Sequence, residues 1–281
     1  MIAIKFTEAW ILYDMDKRLL NYSKHTLKAY KIQLRLLSEY LNDQEISTVT
    51  YEQLKFYLAS QQHLKPASIG HRVRFIQSFF RWAIDEGHIS KNPASKLREP
   101  KMGKRIPKFL TEEDIETLRE ACATAREHAI IEFLYTTGCR IGEITELNKS
   151  LINWQNNSVI VHGKGDKDRE VYFNTKCRIW LKKYIESRRD NDPALFVTDR
   201  APHRMGVAQM RYIVKKVADR AGIDANVYPH RLRHSFATHL LNNGAPMEAI
   251  QQLMGHQKAE TTQLYAQLSG ERRRELYKRY F

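Results

Sequence analysis

No stretch of this 281-residue chain approaches the ~18 consecutive uncharged apolar residues that a membrane-spanning helix needs, so no membrane partner is expected. The first residues, Met1-Ile2-Ala3-Ile4-Lys5, lack the basic region and apolar run of a secretory signal, and none is expected. Cysteine is scarce: Cys122, Cys139 and Cys177 are odd in number and form no C-x-x-C pair. That fits a reducing cytosol better than a disulfide framework. Internal repeats and low-complexity tracts are missing too. With 42% apolar and 10% aromatic residues the chain can bury real cores, which excludes disorder. Its length favours two domains, at roughly 150 residues each.

Acid is in short supply. Lys and Arg number 46 against 32 Asp and Glu, a net charge of +14, and the sequence pI is about 9.6. Such an excess points to a polyanion, nucleic acid first. Residues 1–100 hold 15 basic and 10 acidic side chains, and residues 110–281 hold 27 and 22. The nine residues between, 101–109, carry Lys101, Lys104, Arg105 and Lys108 and no acid. With Gly103 and Pro107 this segment reads as an interdomain linker. Against phosphates it would release counterions and add affinity without sequence preference; the plainer alternative is a solvated connector.

The first hundred residues read as all-helical. Leu27, Tyr30, Leu34, Leu37 and Leu41 recur at helical spacing, and Thr50 with Gln53 forms a capping box before Leu54, Tyr57 and Leu58. Pro66 starts a further helix with the stripe Ile69, Val73, Ile76, Phe80 and Ala83, ended by Gly87. Between the stripes lie Lys24, Lys28, Lys31, Arg72, Arg74 and Arg81, a basic face that suits a DNA groove or is simply solvated. From Thr111 the pattern changes. Thr111 and Asp114 cap a helix through Ile115 and Leu118, and an apolar run over 130–135 stops at Gly138. Residues 158–161 and 170–173 alternate like strands joined by a glycine-rich turn over 163–168. Helical patterns then resume, closed by Gly222, Gly244 and Gly255.

Four short segments set charged donors beside structural punctuation. In Thr137-Gly138-Cys139-Arg140-Ile141-Gly142-Glu143, Arg140 and Glu143 open a helix on one side, at i, i+3. The hairpin turn carries Lys164. In Pro229-His230-Arg231-Leu232-Arg233-His234, Leu232, Phe236 and Leu240 define a buried face while His230 and Arg233 share another. Gly255-His256 lies nine residues before Tyr265. His230, His234 and His239 do not make a zinc site, because no Glu sits where a metalloprotease helix needs it and Arg231 and Arg233 would repel a dication. Nothing around Cys139 marks a nucleophilic thiol.

In order and approximate spacing these segments, with Tyr265, resemble the tyrosine recombinases, the phage-integrase and Xer-like site-specific recombinases. Small departures are Cys139 at a variable position, Met254 before the Gly-His pair, and Ala266-Gln267 after Tyr265 where Thr-His or Ala-His is common. The resemblance implies a mainly α fold with a small antiparallel β-sheet in the catalytic domain, the two domains forming a C-shaped DNA clamp. Residues 1–100 would be a helical, SAM-like core-binding domain, 101–109 a basic linker, and 110–281 the catalytic domain with a C-terminal exchange helix. Arg140, Lys164, His230, Arg233 and His256 would surround a scissile phosphate, with Tyr265 as nucleophile and Glu143 in support; Lys101, Lys104, Arg105, Lys108, Arg72 and Arg74 would bind DNA. The reaction implied is cleavage and rejoining through a 3′-phosphotyrosyl intermediate, exchanging strands via a Holliday junction, with no cofactor and no metal. Its partners would be double-stranded DNA with paired inverted half-sites and three further copies on two duplexes, joined by exchange of the tail, or a related recombinase as hetero-partner; nucleoid association would follow. Without an N-terminal arm-binding domain, the simple Xer-like or resolvase types are expected. The alternatives are a type IB topoisomerase, using similar Arg, Lys, His and Tyr chemistry only to relax DNA, and a non-catalytic DNA-binding regulator. The tail of sixteen residues after Tyr265 favours recombination.

Overall fold

The computed structural model describes residues 4–101, 109–163, 167–223 and 226–255, and of Lys167 the backbone alone. Lys104, Arg105, Lys108, Lys164, His256, Tyr265 and the tail lie outside the described residues. The chain divides into two compact units, Met1–Arg105 and Ile106–Phe281.

In the first unit, α1 (Phe6–Leu19), α2 (Lys24–Tyr40), α3 (Tyr51–Ala59) and α4 (Pro66–Asp85) enclose one aromatic-rich core. Ser23 caps α2 by accepting the Thr26 N–H at 3.2 Å, and the stripe from Leu27 to Leu41 turns inward as the periodicity predicts, with Tyr30 half-buried. The Thr50–Gln53 capping box forms in both directions, and α4 begins on Pro66. The buried face of α4 is wider than one stripe, because Phe75, Phe79 and Trp82 are also inside. They pack on α1, which the sequence pattern did not resolve as a separate element: the Tyr13 ring meets Phe79 at 5.5 Å and Trp82 at 5.2 Å, both edge-on. On the basic face, Lys24, Lys28 and Lys31 are exposed. Arg72 donates to the Tyr57 hydroxyl and Arg74 pairs with Glu99.

The second unit is built around α6 (Ala125–Thr137), which packs against α8 (Thr175–Ser187), α9 (Val207–Arg220) and α10 (Pro229–Asn242). Because α6 is enclosed, its acids need partners. Glu132 is gripped by both arms of Arg119 on α5 (Glu112–Glu120), and Glu127 pairs with Arg220. After α6 come α7 (Ile141–Thr145) and a three-stranded antiparallel sheet in the order β1 (Ile152–Asn153), β2 (Ser158–Gly163), β3 (Lys167–Tyr172). The strands outrun the sequence reading. His162 faces Asp168 and Gly163 faces Lys167, so the hairpin turn shrinks to its tip. Apolar alternation ends where these polar residues begin, but backbone pairing continues. The last described helix is α11 (Met247–Met254). Among the described residues no helix is long and apolar enough to cross a membrane.

Candidate active site

The site begins where α6 stops. Gly138 adopts φ +60°, and a Cβ placed on it would lie 2.5 Å from the Phe236 ring, so both backbone and space demand glycine. Two residues later Arg140 opens α7. Its backbone N–H donates to Glu143 Oε2 at 2.8 Å, and its Nη1 donates to Glu143 Oε1 at 2.8 Å. The i, i+3 spacing thus becomes a real contact, on a carboxylate that is buried.

A second arginine reaches the same carboxylate from the sheet. Arg169 of β3 donates from Nη1 to Oε1 at 2.9 Å and from Nη2 to Oε2 at 2.7 Å. It sits beyond Val171 on the inward side of the strand, opposite Val161 in register. Burial alone would raise the Glu143 pKa; the Arg169 hydrogen bonds, the Arg140 N–H and the Arg169 charge outweigh it and hold the carboxyl below its ordinary range.

The arginines then converge on the end of α11. The last carbonyls of a helix have no intrahelical donor and carry the negative end of its dipole. Here three successive ones accept from three different guanidiniums. Arg169 Nε donates to Leu253 O at 3.3 Å, Arg233 Nη2 donates to Met254 O, and Arg140 Nη2 donates to Gly255 O at 3.2 Å. Arg233, buried on α10, also donates from Nη1 to the Gly138 carbonyl. Gly255 takes φ +60° with the Arg169 side chain pressed where a Cβ would stand.

His230 occupies the first turn of α10, where helix N–H groups favour an anion. Burial lowers its pKa, and the charges of Arg233, Arg211 and Arg140 push the same way against a smaller opposing effect of Glu143. The imidazole pKa is therefore held below its usual 6.5, although the side chain stays exposed on one side. Helix α10 is more enclosed than a single stripe implies: Arg233, His234, Ser235, Thr238 and His239 are buried along with Leu232, while Phe236 and Leu240 are only half-buried.

Of the residues singled out in the sequence, Arg140, Glu143 and Arg233 gather around the end of α11, and His230 is near enough for their charges to act on it. Lys164 belongs to the tip between Gly163 and Lys167, and His256 follows directly on the anchored Gly255; both, with Tyr265, lie outside the described residues. Lys101 is exposed. Arg72 and Arg74 belong to the other unit. Sequence reasoning missed Arg169 and Arg211. The signal for Arg169 was its alternation with Val171 and Phe173, which puts a charge on an apolar strand face and demands a partner. Cys139 is buried and its thiol is pushed up to about 11 by that burial, which suits packing rather than attack. Among the described residues no cluster of three or more His, Cys, Asp or Glu side chains is arranged to hold a metal ion. Three guanidiniums against one carboxylate leave a surplus of fixed positive charge, which can take an anion such as a phosphate.

Comparison with known proteins gives two family matches: the phage integrase family over residues 108–272, and the phage integrase N-terminal SAM-like domain over residues 17–87. The chain is 32% identical over 275 residues to a tyrosine recombinase XerC of Oceanobacillus iheyensis, covering 92% of this chain and 90% of that one. It is 33% identical over 272 residues to a tyrosine recombinase XerC of Staphylococcus aureus, with the same coverage. Among solved structures, a XerA recombinase matches with TM-score 0.58 at 29% identity over 98% of both chains. A lambda integrase dimer bound to a COC′ core site matches in fold, with TM-score 0.79 at 18% identity, over 95% of this chain and 79% of that one.

Proposed function

This chain belongs to the phage integrase family, as a tyrosine-type site-specific DNA recombinase, and from that premise we propose that it breaks and rejoins DNA through a 3′-phosphotyrosyl intermediate with Tyr265 as nucleophile. The observation that carries the reading is the anchoring of three consecutive α11 carbonyls by Arg169, Arg233 and Arg140. It supports the reading because Gly255, the residue before His256, is tied to one of the cations a transferring phosphate would require.

In this reading the Tyr265 oxygen bonds to phosphorus while the 5′ oxygen leaves with a proton from Lys164. Arg140 and Arg233 meet the charge that builds on the equatorial oxygens. Tyrosine is a weak nucleophile at its usual pKa of about 10, so nearby cations and His230 ease removal of its proton. Glu143 orients Arg140, and His256 adds a donor. The phosphotyrosyl bond conserves the energy of the broken link, so a 5′-hydroxyl from another strand can reverse the step without ATP or a cofactor. Strand exchange then proceeds through a Holliday junction.

The substrate proposed is duplex DNA with paired inverted half-sites, in the cytoplasm and on the nucleoid. The helical unit and the 101–109 linker would hold the duplex, with Arg72 and Arg74 on the DNA side. Four copies on two duplexes, or copies paired with a related recombinase, would be tied by exchange of the residues after Tyr265. Leu276, Tyr277, Tyr280 and Phe281 cluster there at helical spacing, in a stretch too short to be a stable helix alone. The test is to trap covalent protein–DNA adducts with denaturant from the DNA of the host and to sequence the attached ends. One recurrent cleavage site with protein on the 3′ phosphate is the expected result. Scattered attachment without a preferred site would favour simple relaxation, and no attachment would overturn the enzyme mechanism.

A further inference from the structure

We propose that Arg169 is a positioning residue that prevents Glu143 from closing on Arg140, and so keeps the Arg140 guanidinium open to a phosphate. This role rests on the recombinase reading above and follows from how the carboxylate is shared. A carboxylate offers two oxygens and about four acceptor positions. Arg169 engages both oxygens fork to fork, at 2.9 and 2.7 Å. The Arg140 backbone N–H takes a further position on Oε2, and Arg140 Nη1 the remaining one on Oε1, each at 2.8 Å. The carboxylate is then full. Arg140 is left tied to it by a single side-chain bond, with its Nη2 turned to Gly255.

Charge points the same way. Arg140 and Glu143 are one turn apart on a short helix, close enough to form a neutral, closed pair by themselves. Such a pair would compete with an incoming phosphate for the very donors that phosphate needs. Two guanidiniums against one carboxylate leave the trio with a net positive charge, whereas one against one leaves none. Arg169 cannot easily swing away, because its Nε donates to Leu253 O and its Cδ lies against Gly255. It also belongs to a different element, β3, so its own position is set by the sheet rather than by the short α7 helix that carries Glu143.

The experiment uses the full chain and a nicked duplex built on the cleavage site recovered as above, in which the freed strand end diffuses away and covalent product accumulates. Arg169→Met should cut the single-turnover rate of attachment by roughly tenfold or more, as for loss of other preorganised electrostatic contacts, with half-site affinity by gel shift little changed. The decisive arm is Arg169→Met combined with Glu143→Gln. Removing the acid should release Arg140 again and restore most of the lost rate. If Arg169 only packed α11, deleting a second contact would make the double variant slower than either single one. Arg169→Lys, which keeps a cation without the fork, makes the same comparison at smaller amplitude should the Met variant not fold; thermal melting identifies that case. No rescue in either background overturns the proposal, as does a rate loss matched by an equal loss of DNA affinity. A wild-type chain that never attaches to DNA overturns the recombinase mechanism and this role with it. Attachment by wild type without rescue overturns the role alone.

Discussion

Arg140 and Gly255 stand 115 positions apart in the chain, and the guanidinium of one donates to the carbonyl of the other at 3.2 Å. One end of that bond is a side chain whose charge can serve a phosphate. The other is backbone, at a residue whose φ of +60° lets the chain turn out of α11. The contact joins the residue that would bind the substrate to the segment that would attack it.

Gly138→Ala should destabilise the catalytic unit strongly. The left-handed backbone costs a side chain roughly 1–2 kcal/mol, and displacing the Phe236 ring costs roughly 1–3 kcal/mol more. Gly142→Ala is the matched control: it lies inside α7, and its added Cβ meets open space. It should gain roughly 0.5–1 kcal/mol in Tm-derived stability. Equal melting temperatures for the two variants would contradict the packing described around Gly138.

Tyr265→Phe removes one hydroxyl and should retain DNA binding while abolishing covalent attachment to a nicked duplex. Covalent product from the Phe variant would move the nucleophile elsewhere, with Tyr277 and Tyr280 as the next candidates.

Lys164→Ala should slow cleavage of a normal phosphodiester far more than cleavage of a substrate whose 5′ leaving atom is sulfur. A thiolate departs without a proton, so a general acid becomes dispensable. Equal defects on both substrates would make Lys164 a stabiliser of charge, and the same pair of substrates applied to His256→Ala tests the competing donor.

Replacing Lys101, Lys104, Arg105 and Lys108 by Gln should weaken binding similarly on specific and random duplexes. Each lost phosphate contact lowers the slope of log affinity against log salt by roughly 0.9. A slope that does not move would make the linker a solvated connector.

His239 is buried against Phe109, with its Nδ1 2.7 Å from the Tyr135 hydroxyl, and that burial lowers its pKa below 6.5. The unfolded chain therefore takes up this proton more readily than the folded one. The contribution to stability is complete above the unfolded value of 6.5 and is lost as pH falls through the lower folded value. Melting temperature should drop between about pH 7 and 5, and His239→Gln should flatten part of that drop. His128 and His230 are shifted in the same direction and add to the drop. A pH profile unchanged by the substitution would assign the loss to other groups.

Most of the helical frame could be read from apolar spacing and caps, because Thr50, Pro66, Thr111 and Gly138 impose local geometry whatever lies around them. Arg140 with Glu143 was legible for the same reason: one helical turn brings them together. Arg169 was not. Its role exists only once β3 is seen to run past its apolar residues and to lie against α7 and α11. The buried Glu132 escaped similarly, since a lone acid in an apolar run acquires meaning from Arg119 on another helix. Local grammar fixes elements, while long-range charge pairing must wait for the fold.

Three guanidiniums from three elements share the final turn of α11, so fraying of that turn would remove one acceptor from each of them at once, leaving Arg140 and Arg169 on Glu143 and Arg233 on the Gly138 carbonyl. Docking of the helix and the final placement of the three guanidiniums are then coupled. Amide exchange at 253–255 should follow the opening of the whole site, with no slower or faster class of its own. A cationic cluster organised this way would respond as a unit: pulling α11 loose would disturb Arg140, Arg169 and Arg233 in the same event.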